Sequence, residues 1–273
     1  MKKSIDFWKY AILILFSITC IYPMVWMFLS SLKTNENLLN DPWGLAIPIH
    51  PENYVRALIE GHLGRYFFNS VYIAVMSVAI STILGAMVSY AISRMYWKLS
   101  KLVLDLFLLG MMIPIYATII PLFSMFNKLN LLNTSISVIL VHVVFGLPMI
   151  VFILTGFMES LPREMEEAAV IDGASIYTIF ARVMLPVTKP SLVTVAVITF
   201  IDVWNDLLVP QIFLTSSEKM TLPVGLMEFK GLRSTDYVTM IAAIVITVIP
   251  TVIVYSILHK SIIEGMVTGA VKG

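Results

Sequence analysis

The chain has 273 residues, 59% of them hydrophobic and 13% charged, with a formal net charge of +1. Soluble domains carry about 25% charged residues, so this composition excludes an ordinary water-soluble globule. The near-neutral charge argues against a nucleic-acid partner or a polybasic surface, and a single cysteine, Cys20, excludes an internal disulfide.

Met1-Lys2-Lys3 precedes an apolar run and has the look of a signal peptide. The run is too long for an h-region and no A-x-A site follows, so a retained first span is expected. Five uncharged runs follow in order: Ala11–Leu32, Tyr66–Ser93, Leu106–Asn127, Leu129–Met158 and Tyr237–Leu258. Each exceeds the roughly 20 residues that cross a bilayer as a helix. A sixth, Pro190–Leu214, carries Asp202 and Asp206 and is weaker by hydropathy. The expectation is an all-α integral membrane protein, one polytopic domain over 1–273. Its six transmembrane helices lie at about 11–32, 67–93, 103–126, 136–158, 190–214 and 238–259.

With an even number of spans, both termini share one side. If that side is the cytoplasm, the inner segments hold 11 Lys and Arg and the outer segments hold 7. The positive-inside rule then favours cytoplasmic termini and a cytoplasmic 159–189 loop. Segment 31–65, with Pro42, Trp43, Pro48 and Pro51, reads as irregular and external. Segment 215–236 is also external, and Pro223 and Gly225 keep its apolar patch from forming a long helix.

The 159–189 segment interrupts an otherwise lipid-like chain with charge. Pro162 suits a first helical turn. Glu164, Glu166 and Glu167 lie toward the positive end of a helix dipole, Gly173 supplies a stop or bend, and Ser175 caps a second helix through about Leu185, ended by Pro186. Ala168 and Ala169 offer a small surface that a groove could admit closely. Two readings stand: a helix resting on the membrane, or a docking handle for another protein. The acidity of the helix disfavours anionic lipid.

Within the spans, Pro114, Pro121, Pro148, Pro210 and Pro250 read as kinks whose freed carbonyls neighbours satisfy. Ser77, Ser81, Gly85 and Ser89 recur at i+4 and read as a close-packing face. Asp202 and Asp206, at i and i+4, share one face with Asn205 beside them. A carboxylate near mid-membrane costs roughly 2.5–3.5 kcal/mol by insertion scales, so it faces a cavity, a partner or a proton path. Asp and Asn could exchange hydrogen bonds with sugar hydroxyls and the Trp204 ring could stack on a sugar face, or these residues could hold the assembly together. His142 reads as packed and hydrogen-bonded. Asn69 and Ser70 face either headgroups or a pore. No G-x-x-x-x-G-K-[ST] occurs, so nucleotide phosphates are not cradled in that way. If transport is ATP-driven, the motor is a separate polypeptide.

Glu167-Ala168-Ala169-x-x-Asp172-Gly173-Ala174, followed by Phe180, Leu185-Pro186 and Pro190, resembles the EAA loop of permease subunits of binding-protein-dependent ABC importers. Ser31-Leu32-Lys33, Trp204-Asn205-Asp206, Thr221-Leu222-Pro223-Val224-Gly225-Leu226 and the tail from Gly265 through Gly269 to Gly273 resemble the carbohydrate-type, maltose-permease-like branch. Ile262-Ile263 departs from the aromatics often found there in the family, and Asp202 is not part of its pattern.

The resemblance implies a type I ABC importer permease bundle with a cytoplasmic coupling helix, in a bacterial cell membrane. Glu167, Ala168, Ala169, Asp172 and Gly173, with Arg182 as an auxiliary, would couple to a cytoplasmic ATPase. Gly269, Lys272 and Gly273 would touch the ATPases through the tail. Implied partners are a second homologous permease, two ATPase subunits that use ATP and Mg, an extracytoplasmic binding protein, and a sugar or oligosaccharide. No catalysis, cofactor or metal site is expected in this chain. The nearest rival keeps the role and changes the solute to glycerol phosphate or peptide. A self-powered secondary transporter using Asp202 and Asp206 as an ion relay is a further rival, and a membrane enzyme ranks last.

Overall fold

A computed structural model describes residues 2–229 and 236–270, with side chains described for 8–229 and 236–259. Every regular element among the described residues is helical. In chain order they are α1 (Lys2–Ser30), α2 (Asn35–Asn40), α3 (Glu52–Ile59), α4 (Leu63–Arg94), α5 (Ser100–Met111), α6 (Ile119–Lys128) and α7 (Ser135–Ser160). There follow α8 (Glu164–Ile171), α9 (Ile176–Ile179), α10 (Leu185–Asn205), α11 (Leu208–Phe213), α12 (Leu222–Gly225) and α13 (Tyr237–Ala270). Among the described residues, five helices are long and apolar enough to cross a membrane, and six if one bent pair counts as a single span.

That bent pair replaces the single, kinked third span expected over 103–126. Ser100–Met111 and Ile115–Lys128 meet at 87°. Pro114, extended at φ −70° and ψ 121°, sits at the break. A proline has no N–H to give and clashes with the preceding turn, so an uninterrupted helix is lost there.

The fifth span also differs. The helix does not stop at Pro186 but runs continuously from Ile176 to Asn205. Residues Phe180–Met184 form a π turn, in which the Leu185 N–H donates to the Phe180 carbonyl. The extra residue per turn shifts the hydrogen-bond register just before Pro186, which is how π-bulges absorb such sites. At the other end the helix stops at Asn205 instead of 214. The Asp206 carboxylate accepts from the Leu208 N–H at 3.1 Å. This local side-chain bond competes with the helical ladder and starts the separate α11.

Two compact units divide the chain. Residues 1–67 and 222–250 form the first. In it, Leu38, Val238 and Ile241 make a small core with Trp26 and Met27 against it. The Asp236 carboxylate accepts from the Thr239 N–H at 3.2 Å and the Asn35 side-chain amide at 2.9 Å, and lies 3.3 Å from Arg56.

Residues 68–221 and 251–273 form the second unit. Its core runs through Ala86, Ile150, Leu154 and Val195. The small-residue face of α4 packs here: Ser77, Ser81 and Ser89 are fully buried. The Ser89 hydroxyl donates to the Val151 carbonyl at 3.3 Å. A Cβ added at Gly85 would lie 2.3 Å from Ile150 Cγ2. Without a hydrophobic driving force between spans, such close backbone approach is what holds membrane helices together.

Candidate functional site

The charged segment folds as a hairpin of α8 and α9. Arg163 stands as N-cap, so α8 starts at Glu164 and Pro162, expected in its first turn, lies just before it. It ends on Gly173 at φ +79°. The Gly173 N–H donates to the Val170 carbonyl and the Ala174 N–H to the Ala169 carbonyl, each at 2.9 Å. This 5→2 and 6→1 pair is a Schellman cap, which needs a residue at home with positive φ. Ser175 then caps α9, its hydroxyl accepting from the Thr178 N–H at 3.4 Å.

Arg94, at the end of α4, anchors the hairpin. Its Nη2 donates to the Leu161 carbonyl at 2.9 Å and its Nε lies 3.3 Å from Glu166 Oε2. Those two side chains are 2% and 15% exposed. Arg163 adds a second tie, its guanidinium 4.7 Å over the Tyr96 ring and donating to the Tyr96 hydroxyl. Ala169 and Ala174 pack inward against Tyr90, Met158, Ile179 and Met184. Of the expected Ala168/Ala169 surface, only Ala168 therefore faces out.

Glu167, Asp172, Gly173 and Arg182 are exposed. With them stand Val170, Tyr177 and Ile171, the last 86% exposed. Large apolar side chains turned outward beside acidic ones make a surface of mixed character. A groove of about 500 Å³ runs beside it, lined by Arg94, Arg163, Val170, Ile171 and Ile176 among others.

A second feature lies among the spans. A cavity of about 600 Å³ opens between the Pro114 bend, α7 and the α10–α11 junction. Tyr116, His142, Asp202, Asn205 and Asp206 supply most of its polar lining. His142 Nε2 lies 3.3 Å from Asp206 Oδ2, both side chains about nine-tenths buried. The other Asp206 oxygen caps α11, and the Asn205 amide donates to the Ile201 carbonyl at 2.9 Å. Asp202, Asn205 and Asp206 thus share the face that their spacing implies.

Trp204 does not join them. It is 2% exposed and its ring stacks on Phe200 at 5.4 Å, so the expected sugar-stacking face is already covered by protein. The reason is the helix period: Trp204 stands two residues from both Asp202 and Asp206, on the far side of the turn. His142 is the cavity residue that sequence spacing did not tie to the aspartates. Of the tail residues, Gly269 falls in the last turn of α13, and Lys272 and Gly273 lie outside the described residues.

Residues 81–267 match the family described as the binding-protein-dependent transport system inner membrane component. The chain belongs to that family. It is therefore a multi-pass permease component of an ABC-type import system, and such systems work through a separate binding protein and further subunits. The diacetylchitobiose uptake system permease protein of Streptomyces coelicolor is 35% identical, over 97% of this chain and 88% of that one. The multiple sugar-binding transport system permease protein of Streptococcus mutans is 33% identical over 99% of each. In fold, the chain is similar to a subunit in the crystal structure of a bacterial ABC transporter involved in the import of the acidic polysaccharide alginate. The TM-score is 0.82 at 23% identity, covering 94% of this chain and 96% of that one.

Proposed function

We propose that this permease carries a sugar or oligosaccharide, delivered by an extracytoplasmic binding protein, across a bacterial plasma membrane. It would pair with a homologous permease, with two cytoplasmic ATPase subunits binding ATP and Mg below. The exposed α8–Gly173–α9 hairpin carries this reading. It is a rigidly capped, anchored element with Ile171, Val170 and Tyr177 turned out beside Glu167 and Asp172. Such a surface fits a groove in another protein better than it fits water. The excess of Lys and Arg on the same side supports a cytoplasmic location for the hairpin and both termini.

Closure of the ATPases would move two such hairpins together. Anchoring through Arg94 would pass that motion to α4, and through the continuous helix from Ile176 to Asn205 to the cavity. The cavity supports a neutral, hydroxyl-rich solute. It presents carboxylates, an amide and an imidazole, with no Lys or Arg in its lining. The names of the similar permeases above agree with a carbohydrate. Substrate would pass near the midplane in an alternating-access cycle.

The test is replacement of Glu167 or Gly173 by tryptophan in the assembled transporter. The variants are expected to insert normally and to lose ATPase co-purification or ATP-driven uptake. Full retention of both would overturn the coupling role.

A further inference from the structure

Segment 31–65 reads by sequence as an irregular external loop, and part of it turns back onto the membrane helix. The Leu32 carbonyl accepts from the His50 N–H at 2.9 Å, which closes the base of the loop. Lys33, fully buried, donates through Nζ to the Asp41 carbonyl at 2.8 Å and the Pro42 carbonyl at 3.1 Å. Trp26 Nε1 donates to the same Pro42 carbonyl at 2.9 Å. The loop is thus pinned to the side of α1, not free beyond its end. The Trp43 ring then stacks on Tyr22 at 6.1 Å and tilts against Trp26 at 5.7 Å. Tyr22 lies eight residues before the helix end at Ser30, roughly 12 Å back along the span.

Past Trp43 the chain alternates. Leu45, Ile47 and Ile49 are exposed, Ile47 by 75%, and Ala46 between them is turned in. No Asp, Glu, Lys or Arg occurs from Pro42 to Pro51, and Asp41 and Glu52 flank the stretch. We infer that residues 42–49 form an interfacial anchor, with Trp43, Leu45, Ile47 and Ile49 immersed in the headgroup and upper acyl region of the lipid leaflet where α1 ends.

Two observations identify the occupant as lipid. The first is continuity. No residue in the apolar window of α1 is buried, and Trp43 is stacked onto its outward side through Tyr22, itself exposed. The apolar edge of the loop therefore extends the face of a span. The second is the placement of aromatics. Trp8 and Tyr10 stand near one end of α1, and Tyr22, Trp26 and Trp43 cluster toward the other. Trp8 to Trp26 covers roughly 27 Å at 1.5 Å per residue, close to the ~30 Å hydrocarbon thickness. Paired Trp and Tyr belts at that separation mark the two interfaces of a bilayer. A loop that adds three aliphatic side chains beside one belt would partition with it, and the closed base and Lys33 hold it there without further ordering.

The experiment places spin labels on the assembled transporter in lipid nanodiscs. Cys20→Ala removes the native thiol, and Leu45→Cys, Ile47→Cys and Ile49→Cys are labelled one at a time, with Glu60→Cys as the water-facing control. Collision with oxygen, which concentrates in lipid, is compared with collision with a water-soluble nickel chelate. The expected result is an oxygen-to-nickel ratio several-fold above that of the control at all three sites. Equal access to nickel at the three sites and the control would overturn the anchor in favour of an aqueous loop. Exclusion of both reagents would overturn it in favour of a protein partner on this face.

Discussion

Arg94 Nε lies 3.3 Å from Glu166 Oε2, and this contact joins the end of a membrane span to the first turn of the exposed hairpin. The pair is almost fully withdrawn from solvent, and Arg94 also holds the Leu161 carbonyl. Removing one partner of such a pair leaves an uncompensated buried charge, which typically costs about 3–5 kcal/mol. Arg94→Met should cost more than Glu166→Gln, because it also removes the donor to the Leu161 carbonyl, whereas glutamine keeps a side-chain oxygen facing the Arg94 guanidinium. Hydrogen exchange over 161–173 is the readout, with faster exchange expected in both single variants. The double variant Arg94→Met/Glu166→Gln should recover part of the loss. Protection equal to wild type in Arg94→Met would show that the pair does not hold the hairpin.

Gly173 separates shape from space. A Cβ there would meet nothing within 4 Å, so the cost of substitution is backbone conformation alone at φ +79°. An L-residue in that region costs roughly 1–2 kcal/mol, and Asn is tolerated better than β-branched residues. Coupled ATPase activity should therefore rank glycine, then Gly173→Asn, then Gly173→Ala, then Gly173→Val. If Asn were as damaging as Val, side-chain intrusion into a partner would explain the loss instead of the turn.

Asp236 gives the first unit a pH dependence. Burial pushes its carboxyl upward, but hydrogen bonds from Thr239 and Asn35 and the nearby Arg56 outweigh that and hold it below its usual value of 3.8. A depressed folded value means that the stabilisation is fully present above the unfolded value and is lost as pH falls through the folded one. The contact of α2 with the start of α13 should thus be constant at neutral pH and weaken only below about pH 4. Asp236→Ala removes the same acceptors at any pH and should cost about 1 kcal/mol, as loss of a helix N-cap does. Thermal unfolding of the two proteins against pH checks this: their difference should shrink as pH drops below 4.

Much of the hairpin was legible in the sequence because its signals are local. Gly173 needs positive φ, and Ser175 needs only the N–H three residues on, so neither depends on distant packing. The spans were legible for a similar reason, since length and lack of charge are properties of one segment. What the sequence hid depends on partners far along the chain. Arg94 read as one more inner-face cation, and only the fold buries it against Glu166. Pro114 read as a kink like the others, yet it breaks the third span at 87°, while Pro190 and Pro148 sit inside continuous helices. Pro186 was expected to end a helix, and a π turn that no composition signals carries the chain past it. Trp43 read as external because loops rich in Pro usually are, and its return to Tyr22 rests on the long-range ties of Lys33.

Asp206 does two jobs that substitution can part. One oxygen caps α11 through the Leu208 N–H, and the other faces His142 across the cavity. Asp206→Asn keeps a side-chain oxygen for the cap and removes the carboxylate charge from the cavity. Asp206→Ala removes both. If the pair lines the translocation path, Asn should alter uptake kinetics with normal recovery of the assembled transporter, and His142→Gln should do likewise. Alanine should add a stability loss of about 1 kcal/mol, seen as a lower melting temperature and reduced yield. Asp202→Asn serves as the companion, since that carboxylate lines the same cavity without capping a helix. The measurements are initial uptake rates in proteoliposomes and the fraction of permease recovered with its partners. Unchanged rates in the Asn and Gln variants, with weaker subunit association, would assign Asp206 and His142 to holding α7 against the α10–α11 junction, and the path would have to run elsewhere.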